Sequence, residues 1–287
     1  MHYRKLGNSG LKVSEISLGS WLTYGGYVEK DLAVRTIDKA YSLGINFFDT
    51  ANVYSQGEAE QIVGSALAKY PRSSYVLATK VRGPMGNLPN DQGLSRKHIM
   101  EQCDASLRRL GVDYIDLYYC HYPDPDTPMD ETLRAMDDLV RQGKVLYTGV
   151  SNMSAEDIGR AVATVREYGL HPIAANQPLY NLFADDIESE VIPACRSYGI
   201  GQVVYSPLAQ GVLTGKYASV ADRLPSSRAV TPEGSQTVRS WLREELLAKT
   251  RRLQELAAEF DMPLSRLALA WTLRLPEISS AIVGASR

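Results

Sequence analysis

The chain has 287 residues, with 31 Lys and Arg against 33 Asp and Glu, a net charge of −2 and 44% apolar residues. That length holds one large barrel or two smaller domains, and that composition excludes wholesale disorder. The near-neutral balance also excludes a general polyanion binder, because phosphate backbones call for a basic excess.

Residues 1–10 carry basic side chains without an apolar stretch of ~7–15 residues behind them, so no secretory signal is expected. No run approaches the ~18 apolar residues of a membrane span. Cys103, Cys120 and Cys195 are odd in number and form no C-x-x-C pair, which fits a reducing compartment. The reading is a cytoplasmic protein with neither nucleic acid nor membrane as partner.

Short runs rich in β-branched and aromatic residues recur at 16–21, 46–50, 75–80, 115–121, 145–152, 173–177, 202–207 and 280–286. Continuous runs of this kind predict parallel strands buried on both faces. Between them lie amphipathic segments: Ile99, Cys103 and Leu107 repeat at i, i+4 and i+8, and Ile158, Ala161, Val162 and Val165 at i, i+3, i+4 and i+7. Ser95, Thr127-Pro128 and Ser154, three residues before Asp157, supply helix starts.

This rhythm predicts repeated βα units closing into a (β/α)8 TIM barrel, a single domain over 1–287. The last interval is much longer, so a loop and helical insertion is expected at about 208–278, between the seventh and eighth strands. Within it a polar stretch, 219–240, precedes predicted helices over 241–261 and 264–275, with Pro263 between them. The sequence ends at Arg287, just after the eighth predicted strand, so the barrel is expected to lack its final C-terminal helix.

Several motifs fail. Gly199-Ile200-Gly201 precedes a strand and has Val204 where a dinucleotide fingerprint needs glycine. The segment from Gly211 to Lys216 is one residue short of a P-loop and is followed by Tyr217 where Ser or Thr belongs. Gly149-Val150-Ser151-Asn152-Met153 departs from the nucleophile elbow at its last position, and the four His occur at no metal-binding spacing. No metal is expected.

Barrel chemistry sits at the C-terminal ends of the strands, so polar residues that end apolar runs are informative. Asp49, Lys80 and His121 stand there, with Tyr54 in the loop after Asp49. Singly each has an ordinary reading: a helix cap, a snorkelling cation, a structural imidazole, one of 17 tyrosines. Jointly, a carboxylate, an ammonium, a phenol and an imidazole on one mouth make a proton-transfer site, in which Lys80 is expected to lower the Tyr54 pKa toward neutrality.

At this point the sequence resembles the aldo-keto reductase superfamily, in the branch of the potassium-channel β subunits and their bacterial relatives. The likeness spans the chain: residues 3–14 at the start, Leu-Gly-Ser-Trp at 18–21, Gly-Ile-Asn-Phe-Phe-Asp-Thr-Ala-Asn-Val-Tyr at 44–54, 123–129, Gly-Val-Ser-Asn at 149–152 and Tyr-Ser-Pro-Leu-Ala-Gln-Gly at 205–211. The resemblance implies NADPH-dependent reduction of an aldehyde or ketone, with Asp49, Tyr54, Lys80 and His121 as the catalytic tetrad. It implies cofactor contacts from Gly19, Ser20, Trp21 and Asp49, carboxamide bonds from Ser151, Asn152 and Gln177, and ring stacking on Tyr205. Ser206, Leu208, Gln210 and Gly211 would line the pyrophosphate, Lys216, Arg228, Ser286 and Arg287 would meet phosphates, and Pro207 and Gly284 would be further cofactor contacts. Trp21, Tyr24 and Tyr122 would wall the substrate pocket, whose small-molecule partner is a carbonyl compound. Homo-oligomer formation is left open. The family's final helix, with a glutamine and an asparagine for the adenine, has no counterpart within the 287 residues. Channel-β members carry asparagine in place of the catalytic histidine; with His121 kept, an active reductase is the first reading and a nucleotide-sensing regulatory subunit with slow turnover the alternative.

Overall fold

In a computed structural model, residues 1–26, 28–222, 228–230 and 232–285 are described. The barrel strands are β3 (Ile16–Gly19), β4 (Phe47–Asp49), β5 (Val76–Val81), β6 (Ile115–Cys120), β7 (Val145–Ser151), β8 (Ile173–Gln177), β9 (Gly201–Tyr205) and β10 (Ile278–Val283). All eight run parallel and close in the order β10-β3-β4-β5-β6-β7-β8-β9. Each predicted run overlaps one of them, with β9 and β10 starting one and two residues before their runs and β5 ending one residue after its own. Around the barrel lie α1 (Lys30–Ser42), α2 (Glu58–Leu67), α3 (Arg96–Leu110), α4 (Met129–Arg141), α5 (Ala155–Glu167) and α6 (Val191–Tyr198).

The period of two along a strand decides which side chains meet inside. Phe47, Val76, Ala78, Leu117, Tyr119, Ala175 and Val203 form an interior cluster, whereas Phe48, Leu77, Val81, Tyr118 and Cys120 pack outward with the helices. Continuing the inward parity by one step along β4, β5 and β6 arrives at Asp49, Lys80 and His121. Burying the apolar residues therefore delivers the polar ones to the mouth.

The helices bury the stripes read from sequence. Ile99 and Cys103 on α3 are fully buried, as are Ile158 and Ala161 on α5. Ser95 accepts from His98 N at 3.3 Å and Ser154 from Asp157 N at 3.0 Å, so both predicted N-caps form.

An N-terminal hairpin, β1 (Tyr3–Lys5) with β2 (Lys12–Ser14), has no counterpart among the predicted strands, because three-residue strands carry almost no periodicity. It plugs the barrel's lower end, with Leu6 and Val13 entering the interior cluster. Gly7 permits this: at φ +55°, an added Cβ would stand 2.3 Å from Gly199 O. Arg4 then donates to the carbonyls of Leu273, Leu275 and Ile278 and to Glu15. Arg4→Ala is expected to lower unfolding free energy by about 2 kcal/mol, since three carbonyls lose a charged donor; denaturant titration reads it, and an unchanged midpoint would contradict it.

The insertion between β9 and β10 holds α7 (Pro232–Arg239), α8 (Glu244–Glu259) and α9 (Leu264–Thr272). The two predicted helices are α8 and α9. The polar stretch 219–240 contains α7 as well, which shows little apolar pattern because its buried contribution to the local cluster comes from Val238. Among the described residues no helix is long and apolar enough to cross a membrane, and no group of three or more His, Cys, Asp or Glu could hold a metal ion.

Candidate active site

The loops after the strands enclose a cavity of about 1140 Å³ at the barrel mouth. Asp49, Tyr54 and His121 line it, while Lys80 lies directly beneath, fully buried. Lys80 Nζ donates to Asp49 Oδ1, to Thr50 O at 2.8 Å and to the Tyr54 hydroxyl at 3.5 Å. The other Asp49 oxygen accepts from Gln177 Nε2 at 2.9 Å, so the carboxylate, 4% exposed, is held from two strands. A buried charge survives when it is paired and hydrogen-bonded, and both conditions hold here.

Tyr54 begins a turn of unusual backbone. Ser55, Gln56 and Gly57 have φ of 48°, 51° and 92°, three consecutive left-handed residues of which only the glycine takes that conformation freely. Such strain costs about 1–3 kcal/mol per residue and persists where surrounding structure over-determines it. The turn aims the phenol at Lys80 and sets the Tyr54 ring edge-on to His121, centroids 5.7 Å apart, and 6.4 Å from Trp21. Tyr122 stacks on His121 at 4.9 Å.

The electrostatics correct one expectation. The Tyr54 pKa is not lowered toward neutrality; burial, and then the Asp49 carboxylate, push it well above the usual phenol range. Lys80, bonded to Asp49, does not reverse this. Burial also lowers the Lys80 pKa, against the opposing pull of Asp49. Tyr54 is therefore a protonated donor throughout the neutral range.

Burial, with help from Lys80 and Arg82, lowers the His121 pKa to about 3. The imidazole is thus neutral near pH 7. Because the unfolded side chain titrates near ~6.5, folding contributes stability that is full above that pH and lost as pH falls toward 3. His121→Asn is expected to lose less stability than the parent between pH 7 and pH 4, read by denaturant titration at both; equal losses would contradict this.

Farther along the cavity, Ser151, Asn152, Gln177 and Tyr205 hold one another. Ser151 Oγ donates to Gln177 O at 2.7 Å, Asn152 Nδ2 to Ser151 Oγ at 2.8 Å and Tyr205 Oη to Asn152 Oδ1 at 2.8 Å. Beyond them Ser206, Ala209, Gln210 and Gly211 all have positive φ. Pro207, Leu208, Gln210, Gly211 and Lys216 line that end, with Gly19, Trp21, Tyr122 and Gly284 along the walls.

Two predicted site residues lie elsewhere. Tyr24, 1% exposed, belongs to the core against the helices and does not wall the cavity. Ser20 is buried behind the wall, donating to Thr50 Oγ1 at 2.8 Å. Both follow a strand end at which the chain turns inward, and the spacing does not register that turn. The Arg228 side chain, Ser286 and Arg287 lie outside the described residues. Thr50, Gln56, Glu58 and Thr214 belong to the site or its rim without having been expected there. Of these, only Thr50 carries a sequence signal, its place directly after Asp49.

The aldo/keto reductase family model matches residues 15–287. A probable voltage-gated potassium channel subunit beta of Oryza sativa subsp. japonica is 41% identical over 291 residues, covering 100% of this chain and 88% of that protein. One of the same description from Arabidopsis thaliana is 42% identical over 293 residues, covering 100% and 88%. A putative voltage-gated potassium channel subunit beta of Schizosaccharomyces pombe is 42% identical over 303 residues, covering 99% and 84%.

Proposed function

Because the chain belongs to the aldo/keto reductase family of oxidoreductases, we propose that it reduces an aldehyde or ketone to an alcohol with NADPH, Tyr54 being the proton donor. The observation that carries this is the meeting of Asp49, Lys80, Tyr54 and His121 at one end of a cavity that continues past Tyr205 to Lys216.

The chain's residues suit that cofactor. The amide and hydroxyl groups of Ser151, Asn152 and Gln177 match a carboxamide, and the Tyr205 ring offers a face to a flat heterocycle. Gly211 keeps space beside Lys216, since an added Cβ would meet Lys216 Nζ at 3.0 Å. A cation at that end favours a phosphate-bearing ligand. The resemblance alone adds Arg228, Ser286 and Arg287 to this assignment, and cations that meet a 2′-phosphate favour NADPH over NADH.

When bound, NADPH supplies the hydride that adds to the carbonyl carbon. Tyr54 gives its hydroxyl proton to the carbonyl oxygen, and its raised pKa keeps that proton in place until the oxygen's basicity rises. The Lys80 ammonium stabilises the phenolate that remains, and Asp49 fixes that ammonium. Neutral His121 offers an N–H to the same oxygen. Trp21 and Tyr122 form the aromatic wall, suited to apolar carbonyl compounds, and exclude water from the reacting atoms. The same reading takes the protein as cytoplasmic.

The three relatives are named as potassium channel β subunits, which favours a second reading, a channel-β-like regulatory subunit; the resemblance makes it one that senses bound nucleotide and turns over slowly. Consumption of NADPH with a reactive aromatic aldehyde separates the two. Steady turnover is the expected result; tight NADPH binding without turnover would favour the second reading, and absence of NADPH binding would overturn both.

A further inference from the structure

Outside the cavity, between the barrel wall and the helices, lies a second buried ion pair that the mechanism does not use. Glu60 on α2 is fully buried. One carboxylate oxygen accepts from Thr79 Oγ1 at 2.6 Å, and the other from Arg109 Nε on α3 at 2.6 Å. Thr79 immediately precedes Lys80 on β5. Arg109 is in turn tied to Ser106 Oγ at 3.1 Å, and its aliphatic stem lies against Gly57, where an added Cβ would stand 2.6 Å from Arg109 Cδ. Gly57 closes the strained turn that begins at Tyr54. One ion pair thus touches both the strand that carries Lys80 and the turn that carries Tyr54.

Burying two charges is costly, and an apolar pair of similar volume often serves stability as well. Three consecutive left-handed residues, by contrast, hold their geometry only under external constraint. We propose that Glu60 and Arg109 are positioning residues, a buried clamp that holds the Tyr54 turn at a fixed height over Lys80 by gripping Gly57 on one side and Thr79 on the other. This rests on the roles given above to Tyr54 and Lys80. The clamp also acts through charge. Lys80 is faced by Asp49 from β4, Tyr54 from the turn, Tyr119 and His121 from β6 and its end, and Glu60 from α2. Glu60 helps to keep Lys80 protonated, so neutralising it lets Lys80 lose its proton at lower pH.

The test compares Glu60→Gln, Thr79→Val and Arg109→Lys with Lys97→Ala, which removes an exposed pair with Glu101 on the same α3 helix. Turnover with NADPH and an aromatic aldehyde, NADPH dissociation constant, melting temperature and the pH profile of kcat/KM are read for each. Glu60→Gln is expected to lower kcat by about 10- to 100-fold, the scale of a misplaced reacting group, with the NADPH dissociation constant unchanged. Its alkaline limb moves to lower pH. Thr79→Val, which keeps the ion pair but frees it from the strand, also lowers kcat, and Arg109→Lys, which keeps the charge, falls less than Glu60→Gln. Lys97→Ala matches the parent. If Glu60→Gln does not fold, Thr79→Val and Arg109→Lys decide alone. Parental kcat in the folded variants overturns the proposal, as does a joint fall of kcat, NADPH affinity and melting temperature with the alkaline limb unmoved. A parent protein without turnover overturns the reductase reading itself, and the clamp with it.

Discussion

Tyr54→Phe is expected to lower kcat by about 10²-fold or more, the scale of a lost general acid, while NADPH affinity stays nearly unchanged. The substitution removes one hydroxyl. The ring keeps its place against Trp21 and His121, and the Lys80–Asp49 pair beneath it retains its other bonds to Thr50 O and Gln177. Binding is therefore spared, because the residues proposed to hold the cofactor lie farther along the cavity. Steady-state turnover beside a fluorescence titration with NADPH reads both quantities. Retained turnover would remove Tyr54 from the mechanism.

Lys80→Met is expected to abolish measurable turnover and to cost about 3–5 kcal/mol of stability, because Asp49 would be left charged and buried with Gln177 as its remaining side-chain donor. At this chain length that corresponds to a fall in melting temperature of roughly 10 °C. The cause is separable. Adding Asp49→Asn to Lys80→Met removes the stranded charge, so the double variant should recover part of the lost stability and none of the activity. Calorimetric unfolding of both variants checks this. A single variant as stable as the parent, or a double variant less stable than the single, would contradict the account of this pair.

What each residue depends on decides how far the amino-acid sequence alone reveals it. The eight strands are legible there, because a strand buried on both faces must be a continuous apolar run, and Asp49, Lys80 and His121 stand out as the polar residues that end such runs. The mouth they share then follows from inward parity. Tyr24 reads as a pocket wall only because spacing says nothing about which way a chain turns after its strand. A fall in the Tyr54 pKa is expected when Lys80 is counted, and the burial of the phenol, followed by the Asp49 carboxylate, is not. The strained backbone at Ser55 and Gln56 leaves no sequence trace, since neither residue type favours positive φ. The contact of Arg109 with Gly57 joins residues far apart in the chain, and only the folded packing brings them together.

The most direct test of the central claim uses NADPH with both hydrogens on the hydride-donating nicotinamide carbon replaced by deuterium, incubated with an aromatic aldehyde and the purified protein. Mass spectrometry of the alcohol is expected to show one deuterium on the former carbonyl carbon, in an amount equal to the NADPH consumed. An alcohol without deuterium, or NADPH bound with no alcohol formed, would contradict hydride transfer at this site.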